Sequence, residues 1–218
     1  QTLVEELLAT LVNSATPATL AVNWTRLESH FDILFTTDAS IESLKQTILD
    51  LAVRGKLVEQ DISEPRLTDT KISSVSAAKG GSERQSDPVA DTEKFFEIPE
   101  RWHWLRLGAL TSKIGSGSTP RGGRNAYEDS GIPFLRSQNI WNCGLRLDDV
   151  AFISEQTHQK MRSTAVKAMD LLYNITGASI GRCAIVPEAF ETGNVSQHVS
   201  IIRLKMPEFR HFLHIALI

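Results

Sequence analysis

The amino-terminal part of the chain places apolar and polar residues with a helical period. Between residues 2 and 57, apolar side chains recur every three or four positions, which predicts three amphipathic helices. Thr16 followed by Pro17 has the form of an N-cap and a first helical residue, while Ser40 is expected to cap the third helix and Gly55 to end it. The apolar stripes comprise Leu3, Leu7 and Leu11; Leu20, Trp24, Leu27, Phe31 and Leu34; and Ile41, Leu44, Ile48 and Leu51. These stripes either pack on one another or form a surface shared with another subunit.

The pattern changes after residue 58. Residues 59–94 are rich in Ser, Asp, Glu, Lys, Ala and Gly without an apolar period, which predicts a flexible linker. Residues 95–205 carry short apolar runs bounded by Gly, Pro, Asn or Ser, which predict strands at 104–107, 113–114, 133–136, 150–153, 170–175, 183–186 and 199–204. A short helix is predicted at 154–161 with Ser154 as its N-cap, and a further helical pattern fills residues 206–218.

Irregular strand spacing and few helices favour an α+β fold, in which a β-rich domain with a mixed or antiparallel sheet follows an α-helical amino-terminal region. The predicted organisation is a helical region at 1–58, a linker at 59–94, a β-rich domain at 95–205 and the start of another helix at 206–218. A length of 218 residues, 41% of them apolar, supports one sizeable core or two modest ones.

Charge is unevenly distributed along the chain. The net charge is −3, but residues 1–94 hold nine Lys and Arg against fifteen Asp and Glu, whereas residues 95–205 hold thirteen against ten. The mild positive excess therefore coincides with the polar loops of the β-rich part. It is weaker than the basic footprint of an autonomous DNA-binding domain, so if the chain binds nucleic acid, its affinity alone is expected to be low and partners would add phosphate contacts.

Other compositional signals exclude several classes of protein. No apolar run approaches the roughly 18 residues of a membrane helix and the amino terminus lacks a signal-peptide pattern, so we expect a cytoplasmic protein. Cys143 and Cys183 fit neither a disulfide framework nor a metal site and are expected to be reduced thiols. His211 and His214 have helical spacing but no third ligand, so no metal is predicted.

A glycine-rich loop, GSGSTPRGGRN, follows the second predicted strand. Gly117 leads to Gly122, Gly123 and Arg124 without the lysine of a nucleotide-binding loop, which argues against a Walker-type phosphate site. The loop is either simply flexible or a contact for DNA, because glycines let the backbone approach a phosphate while neighbouring side chains donate hydrogen bonds. The candidate contacts are Ser118, Thr119, Arg121, Arg124 and Asn125.

Two polar clusters follow apolar strands and carry the residue types that recognise bases. Arg136, Ser137, Gln138 and Asn139 come after IPFL. Arg matches the major-groove edge of guanine, and Gln or Asn matches that of adenine. The alternative is a solvated turn in which Asn139 bonds its own backbone. A second cluster of Asn194, Ser196, Gln197 and His198 precedes VSIIRL, with Gln197 and His198 as its candidate contacts.

The segment NITGASIGR contains Gly-Ala-Ser-Ile-Gly, which fits the pattern of a hydrolase nucleophile elbow at Ser179. A true elbow turns into a helix, whereas this segment runs into the β-like CAIVP. A tight strand connection is the better interpretation for its glycines. Thr176 and Ser179 are then candidates for sugar-phosphate contacts.

Five segments resemble, in order and spacing, the target-recognition domain of the specificity subunits of type I restriction-modification enzymes. They are PERWHWLRLGAL, GSGSTPRGGRN, IPFLRSQNI, DLLYNITGASIGRCAIV and TGNVSQHVSI. The third helix and its tetrapeptide Arg-Gly-Lys-Leu, residues 54–57, resemble the helix that precedes that domain. The linker departs from the family, which often has a basic helix there. Asn194 and Gln197 resemble the family's Asn-Gln pair with two residues intervening, and the whole chain resembles an amino-terminal half.

The resemblance implies a non-catalytic subunit without a cofactor, which recognises one half of a split site in double-stranded DNA. Modification and restriction subunits would then perform methylation and cleavage, with no membrane partner. In agreement, the sequence has no Asn-Pro-Pro-Tyr or Asp-Pro-Pro-Tyr motif and no cofactor loop. Two alternatives stay open: a protein-interaction module with dimerising helices, and a serine hydrolase using Ser179.

Overall fold

The computed structural model of the chain describes residues 3–61, 63 and 88–218. These residues form two compact units. The described part of the first unit comprises residues 3–61, 63 and 90–104, and that of the second comprises 88–89 and 105–218. Most of the predicted linker lies outside the described residues. Residues 95–104 pack within the first unit, although the predicted boundary at residue 95 assigns them to the β-rich domain; that boundary stays a prediction.

The first unit is helical, as the apolar period predicts. Its helices are α1 Leu3–Val12, α2 Pro17–Glu28, α3 Phe31–Leu34 and α4 Asp38–Val53. Thr16 caps α2, because its hydroxyl accepts a hydrogen bond from the Thr19 N–H at 3.2 Å, and Pro17 is the first helical residue. The helices pack on one another around a core of Leu8, Leu11, Leu27, Phe35, Leu44 and Leu51.

The predicted cap of α4 at Ser40 is wrong by three residues. Thr37 is the N-cap, and its hydroxyl accepts a hydrogen bond from the Ser40 N–H. Ser40 in turn accepts a hydrogen bond from the Thr37 N–H at 3.2 Å. Because the two residues form a reciprocal capping box, either hydroxyl has the sequence signature of a cap.

The Arg-Gly-Lys-Leu tetrapeptide ends α4 as predicted. Gly55 has a φ of +67°, and the Lys56 N–H bonds the Leu51 carbonyl at 2.9 Å, which together form the left-handed turn that closes a helix. A Cβ at Gly55 would lie 2.6 Å from Pro99 Cγ, so glycine is required on steric grounds as well. The glycine therefore lets residues 90–104 pack against the end of α4.

The charged residues of the tetrapeptide hold the same unit together. The Arg54 Nε atom donates to Asp50 at 2.8 Å, and the guanidinium lies 4.6 Å from the ring centre of Phe96. Lys56 Nζ donates to the carbonyls of Val12 and Ser14, at 2.7 and 3.0 Å, and so satisfies the end of α1. These side chains are engaged inside the first unit.

The second unit contains two four-stranded sheets and a two-stranded hairpin. Its strands are β1 Thr111–Ser116, β2 Ile132–Leu135, β3 Ile140–Trp141, β4 Gly144–Leu145, β5 Ala151–Ile153, β6 Ala165–Val166, β7 Leu171–Asn174, β8 Cys183–Ile185, β9 Gly193–Val195 and β10 Val199–Leu204. Sheet A has the order β1-β10-β7-β8 and is antiparallel; sheet B has the order β5-β2-β9-β6, with β2 and β9 parallel. β3 pairs with β4. The predicted α+β class with mixed and antiparallel sheets is confirmed.

Three α-helices accompany the described sheets: α5 Leu107–Leu110, α6 Glu155–Lys160 and α7 Arg210–Leu217. Ser154 caps α6 as predicted, with its hydroxyl accepting from the Thr157 N–H at 3.2 Å. The predicted strand at 104–107 is wrong, because Leu107 begins α5 and residues 104–106 are in no strand. The other predicted strands are found within a residue or two of their expected bounds.

The core of the second unit lies between the sheets. Side chains of both sheets form one buried cluster of Leu135, Ile140, Val166, Leu172, Ala184, Val186, Val195, Val199 and Ile201. The other face of sheet A buries Leu171, Cys183, Ile202 and Leu204, against which Leu213 and Leu217 of α7 pack. Since β7 and β10 are covered on both faces, their sequences LLYN and VSIIRL are apolar runs rather than strict alternations.

A buried ion pair joins β10 to the start of β7. Arg203 donates from Nε and Nη2 to the two carboxylate oxygens of Asp170, both at 2.7 Å, and the Asp170 side chain is 1% exposed. Replacing Asp170 with Ala should lower the free energy of unfolding of this unit by about 3–5 kcal/mol, because the Arg203 guanidinium loses its carboxylate and is left bonded to the neutral Ala165 carbonyl. Urea unfolding followed by circular dichroism measures the loss.

The matched control is Glu188→Ala, which breaks the Arg210 pair at 3.1 Å, where the Glu188 side chain is 74% exposed. That exposed pair should contribute less than about 1 kcal/mol. Equal losses in the two variants would contradict the stabilising role assigned to Asp170.

Candidate nucleic-acid interface

The connections of sheet A bring three polar segments to one edge. β1 ends and β10 begins there, since Ser116 pairs with Ser200, and β7 ends there, since Asn174 pairs with Val199. In antiparallel strands the end of one strand lies beside the start of its neighbour. The loops after β1 and β7 and the turn before β10 therefore emerge side by side.

Sheet B adds the fourth segment. β2 and β9 run parallel with Leu135 paired to Val195, and the Ser196 N–H bonds the Leu135 carbonyl at 2.9 Å. The turn after β2 is thus adjacent to the β9–β10 turn, which passes from sheet B to sheet A. We call residues 117–125, 136–139, 175–181 and 196–198 together the polar edge.

Direct hydrogen bonds tie the four segments to one another. Asn174, which is fully buried at the end of β7, donates from Nδ2 to the Ser137 carbonyl at 2.9 Å and to Ser179 Oγ at 3.0 Å. Three further hydrogen bonds involve residues 195–198. The Ser118 N–H donates to the Val195 carbonyl at 3.1 Å, and the Ile175 N–H donates to the His198 carbonyl at 3.0 Å. Thr176 Oγ1 and His198 Nδ1 form the third, at 2.7 Å. The segments that carry the predicted site residues, scattered over the sequence, are therefore neighbours in the fold.

The loop after β1 presents its polar side chains to solvent. Ser118, Thr119, Arg121, Arg124 and Asn125 are exposed, and none of these five side chains has a partner among the described residues. Gly122 and Gly123 have φ values of +116° and +59°, which turn the backbone outward before a 3₁₀ turn, Gly123–Ala126. The loop thus carries two arginines whose donors are unused.

Asp149 accepts hydrogen bonds from two side chains of the turn after β2, those of Arg136 and Gln138. Gln138 donates from Nε2 to the Asp149 carboxylate at 2.6 Å, and Arg136 donates from Nη2 to the Asp149 carbonyl at 3.1 Å. The Arg136 and Asp149 charged groups are 3.8 Å apart. Arg136 is half-buried, with its Nε atom buried and without a partner in the described structure, whereas Gln138 is exposed.

Asn139 does not reach the surface of this turn. It is 2% exposed, its Oδ1 accepts from the Arg136 N–H at 2.9 Å, and its Nδ2 donates to the Arg146 carbonyl at 2.9 Å. The alternative in which Asn139 shapes its own turn describes these contacts, so we leave Asn139 out of the proposed contact surface. Ser137 is half-buried, and its carbonyl is taken by Asn174.

The loop after β7 lacks the geometry of a nucleophile elbow. It leads from β7 into the antiparallel strand β8, not into a helix, and Ser179 Oγ accepts a hydrogen bond from the Asn174 amide. His198 bonds Thr176 rather than Ser179. Ser179 is half-buried, so Thr176 is the more accessible of the two candidate residues in this loop.

The β9–β10 turn has an exposed tip, and the strand residue that leads into it is buried. Asn194 is fully buried and bonds His158 Nδ1 at 2.6 Å and the Met161 carbonyl at 3.0 Å. Gln197 and His198 at the tip are exposed. Of the two residues that resemble the family's Asn-Gln pair, Asn194 is therefore a buried part of the scaffold, whereas Gln197 is exposed on the polar edge.

Sequence reasoning missed a cluster beside the polar edge. Trp141 lies between the guanidinium groups of Arg146 and Arg182, at 3.6 and 3.7 Å from its ring centre. The Trp141 indole N–H bonds the Gln138 carbonyl at 2.9 Å. Trp141 and Arg182 are 41 positions apart, so no local pattern in the sequence links them.

The described residues give no indication of a metal site or of a membrane-spanning helix. No group of three or more His, Cys, Asp and Glu among them could hold a metal ion. Cys183 and Cys143 are free thiols; burial raises the pKa of Cys183 to about 12, so it is a poor nucleophile at neutral pH. No described helix combines the length and apolar character needed to span a bilayer.

The fold and the polar edge define a class of protein, an α+β protein that presents polar loops from a β-rich unit. Its curated relatives are specificity subunits. The chain is 36% identical over 182 residues to the Escherichia coli type I restriction enzyme EcoAI specificity subunit. This match covers 80% of this chain and 30% of that protein. It is 46% identical over 127 residues to the Escherichia coli EcoEI specificity subunit, covering 55% of this chain and 21% of that protein. The predicted resemblance to the type I specificity subunits is confirmed.

The chain spans less than a third of the length of either relative. No family model matches it. Among solved structures, the HsdS subunit from Thermoanaerobacter tengcongensis is 14% identical with a TM-score of 0.44, covering 91% of this chain and 39% of that one. A chain from a study of complex assembly and conformational transition of the type I R-M system is 15% identical with a TM-score of 0.44, covering 88% and 38%.

Gly117 allows the first loop to meet the β9–β10 turn. A Cβ at this position would lie 1.9 Å from the Val195 carbonyl oxygen, which is backbone and cannot rotate away. Gly117→Ala should therefore lower the free energy of unfolding of the second unit by about 3 kcal/mol, since it forces backbone displacement in a packed region. Urea unfolding followed by tryptophan fluorescence measures the change.

Gly115→Ala is the matched control, two residues earlier on β1. A Cβ there would meet nothing within 4 Å, so alanine should be neutral or stabilise the strand by about 0.5 kcal/mol. If both variants unfold at the same urea concentration, the close approach at Gly117 has no energetic importance.

Proposed function

We propose that this chain recognises double-stranded DNA through the polar edge, as part of a specificity subunit of a type I restriction-modification enzyme. The observation that carries the proposal is the convergence of the four polar segments on one edge of a rigid β scaffold. Specific recognition needs donors and acceptors held in fixed positions, together with cations that contact phosphates. The polar edge has both, and the relatives are named as specificity subunits.

The loop after β1 supplies the phosphate contacts in this proposal. Its exposed arginines, Arg121 and Arg124, have unused donors, and Ser118, Thr119 and Asn125 add neutral ones. Phosphate contacts position a protein on the duplex without selecting its sequence. This role fits a loop whose side chains are unrestrained by neighbours in the described structure.

The turn after β2 and the β9–β10 turn supply the base contacts. Arg136 and Gln138 carry donor and acceptor patterns that match guanine and adenine, and Gln197 and His198 lie on the adjacent turn. Thr176, bonded to His198, would contact the sugar-phosphate backbone beside them. Buried Asn139 and Asn194 hold these two turns in place rather than touching DNA.

The assembly follows from the family. We propose that the β-rich domain recognises one half of a split target and that modification and restriction subunits carry out methylation and cleavage. The chain itself is then non-catalytic, needs no cofactor and acts in the cytoplasm. The proposed division keeps the helical region at 1–58, the linker at 59–94, the recognition domain at 95–205 and a helix from 206, with residues 95–104 packed on the helices.

Gln138→Ala should change base preference at one or two positions of the target. The loss is about 1–3 kcal/mol per bidentate base contact and is confined to sequences with the matching base. Binding of the full-length protein with its partner subunits to a library of randomised duplexes measures it. Gln156→Ala, an exposed glutamine on α6, is the control. Equal loss on all sequences excludes base recognition by Gln138, and a wild-type complex without any preference among duplexes favours a protein-interaction module.

Arg121→Ala should weaken binding to all duplexes alike. Losing one phosphate contact reduces the slope of log affinity against log salt concentration by about 1. Titrations at several salt concentrations measure this slope. Lys167→Ala is the control, because it removes one charge from an exposed residue before β7, beyond the end of that strand opposite the polar edge. An effect restricted to one target sequence would contradict the phosphate role of Arg121.

A further inference from the structure

Trp141 separates two arginines beside the polar edge. The guanidinium carbons of Arg146 and Arg182 lie 3.6 and 3.7 Å from the Trp141 ring centre. Two guanidinium groups at these distances cannot share one face of the ring without overlapping, so they lie on opposite faces. Their carbon atoms are then about 7 Å apart, the sum of the two distances. We call these three side chains the Arg-Trp-Arg stack.

The stack leaves the hydrogen-bonding groups of both arginines unused. Neither guanidinium has a carboxylate or carbonyl partner among the described residues, and Arg146 is exposed while Arg182 is half-buried. A guanidinium that stacks on an aromatic ring presents its flat face to the ring and keeps its N–H donors at its edges. Both sets of donors are therefore free for an anionic ligand at the rim of the indole.

Hydrogen bonds fix the stack relative to the turn after β2. The Trp141 indole N–H is bonded to the Gln138 carbonyl at 2.9 Å. The next residue, Asn142, accepts from the Cys183 N–H at 3.0 Å and so ties the β3–β4 hairpin to β8, directly after Arg182. The carbonyl of Arg146 accepts from buried Asn139. The same contacts that shape the base-contacting turn thus place the two cations.

We infer that the Arg-Trp-Arg stack binds neighbouring phosphate groups of the DNA strand that runs past Gln138. This inference rests on the proposed function and assigns a second phosphate site, separate from the loop after β1. Successive phosphates of one strand rise by about 3.4 Å along the helix axis and are also displaced around it, so two cations about 7 Å apart suit two phosphates better than one. Guanidinium groups bind phosphate oxygens through paired N–H donors.

Electrostatics favours an anionic partner for the stack. Two like charges this close repel each other, and the indole offsets only part of that repulsion because a cation–π contact at an exposed site contributes little. Anions at both edges remove the repulsion. A duplex supplies them at regular spacing, and the adjoining base-contacting turn sets the direction in which its strand would run.

The test compares single variants of the full-length protein assembled with its partner subunits. Arg146→Ala and Arg182→Ala should each reduce the slope of log affinity against log salt concentration by about 1, and the double variant by about 2, equally on target and non-target duplexes. Lys167→Ala should leave the slope unchanged. Equal thermal unfolding temperatures for all variants show that the fold is intact.

Trp141→Leu tests the part played by the ring. It removes no charge, yet it should weaken DNA binding because the two guanidinium groups lose their fixed positions. Adding Arg146→Ala to Trp141→Leu should then cost less affinity than the same substitution in the wild type. Additive losses would overturn the positioning role of Trp141.

The outcomes separate this inference from the proposed function. If the stack variants bind DNA like the wild type while Arg121→Ala weakens binding, the inference fails and the proposed function stands. If DNA binding by the stack variants is unchanged but assembly with partner subunits is lost, the stack is a protein-binding surface and the inference also fails. If the wild-type complex binds no duplex at all, both fail.

Discussion

The candidate site depends on one short crossing, where residues 195–199 carry the chain from sheet B to sheet A. The backbone of this crossing bonds the end of β2 through Ser196, the first loop through Val195 and the loop after β7 through His198. Backbone hydrogen bonds require close approach, and Gly117 provides it where any side chain would collide. Four loops that are far apart in sequence thereby share one frame, so a shift of the crossing would move all of them together.

Buried asparagines link the segments of the polar edge to one another and to the scaffold. Asn139, Asn174 and Asn194 are each no more than 2% exposed, and each bonds a carbonyl from another segment or from its own turn. A buried amide without partners would be costly, which gives these contacts a strong preference for one arrangement. The exposed side chains beside them, such as those of Gln138 and Gln197, take no part in these buried contacts. If the polar edge binds DNA as proposed, its base preference can therefore change by substitution at the tips without altering the fold.

Local signals in the sequence were sufficient for much of the fold. Thr16 with Pro17 and the turn at Gly55 are written in neighbouring residues, and β7 and β10 are apolar runs long enough to recognise. Strands β3, β4, β6 and β9 have two or three residues each, and their pairing depends on distant partners. The same limit applies to the site, because sequence identifies a polar cluster but not which member is buried. Asn139 and the Arg-Trp-Arg stack are both set by tertiary contacts.

Asp149 is the group through which the proposed DNA-binding surface, although only mildly charged, would discriminate among sequences. In the free chain this carboxylate satisfies Gln138 and lies 3.8 Å from the Arg136 guanidinium. If the polar edge binds DNA as proposed, a matching base edge must replace both interactions, and Asp149 must face solvent near the phosphates. A mismatched base leaves donors unpaired, so the repulsion between Asp149 and the phosphates is then not offset by base contacts. The unpaired cations of the first loop and of the stack would oppose that repulsion on every sequence alike, which makes selectivity depend on the turn that Asp149 holds.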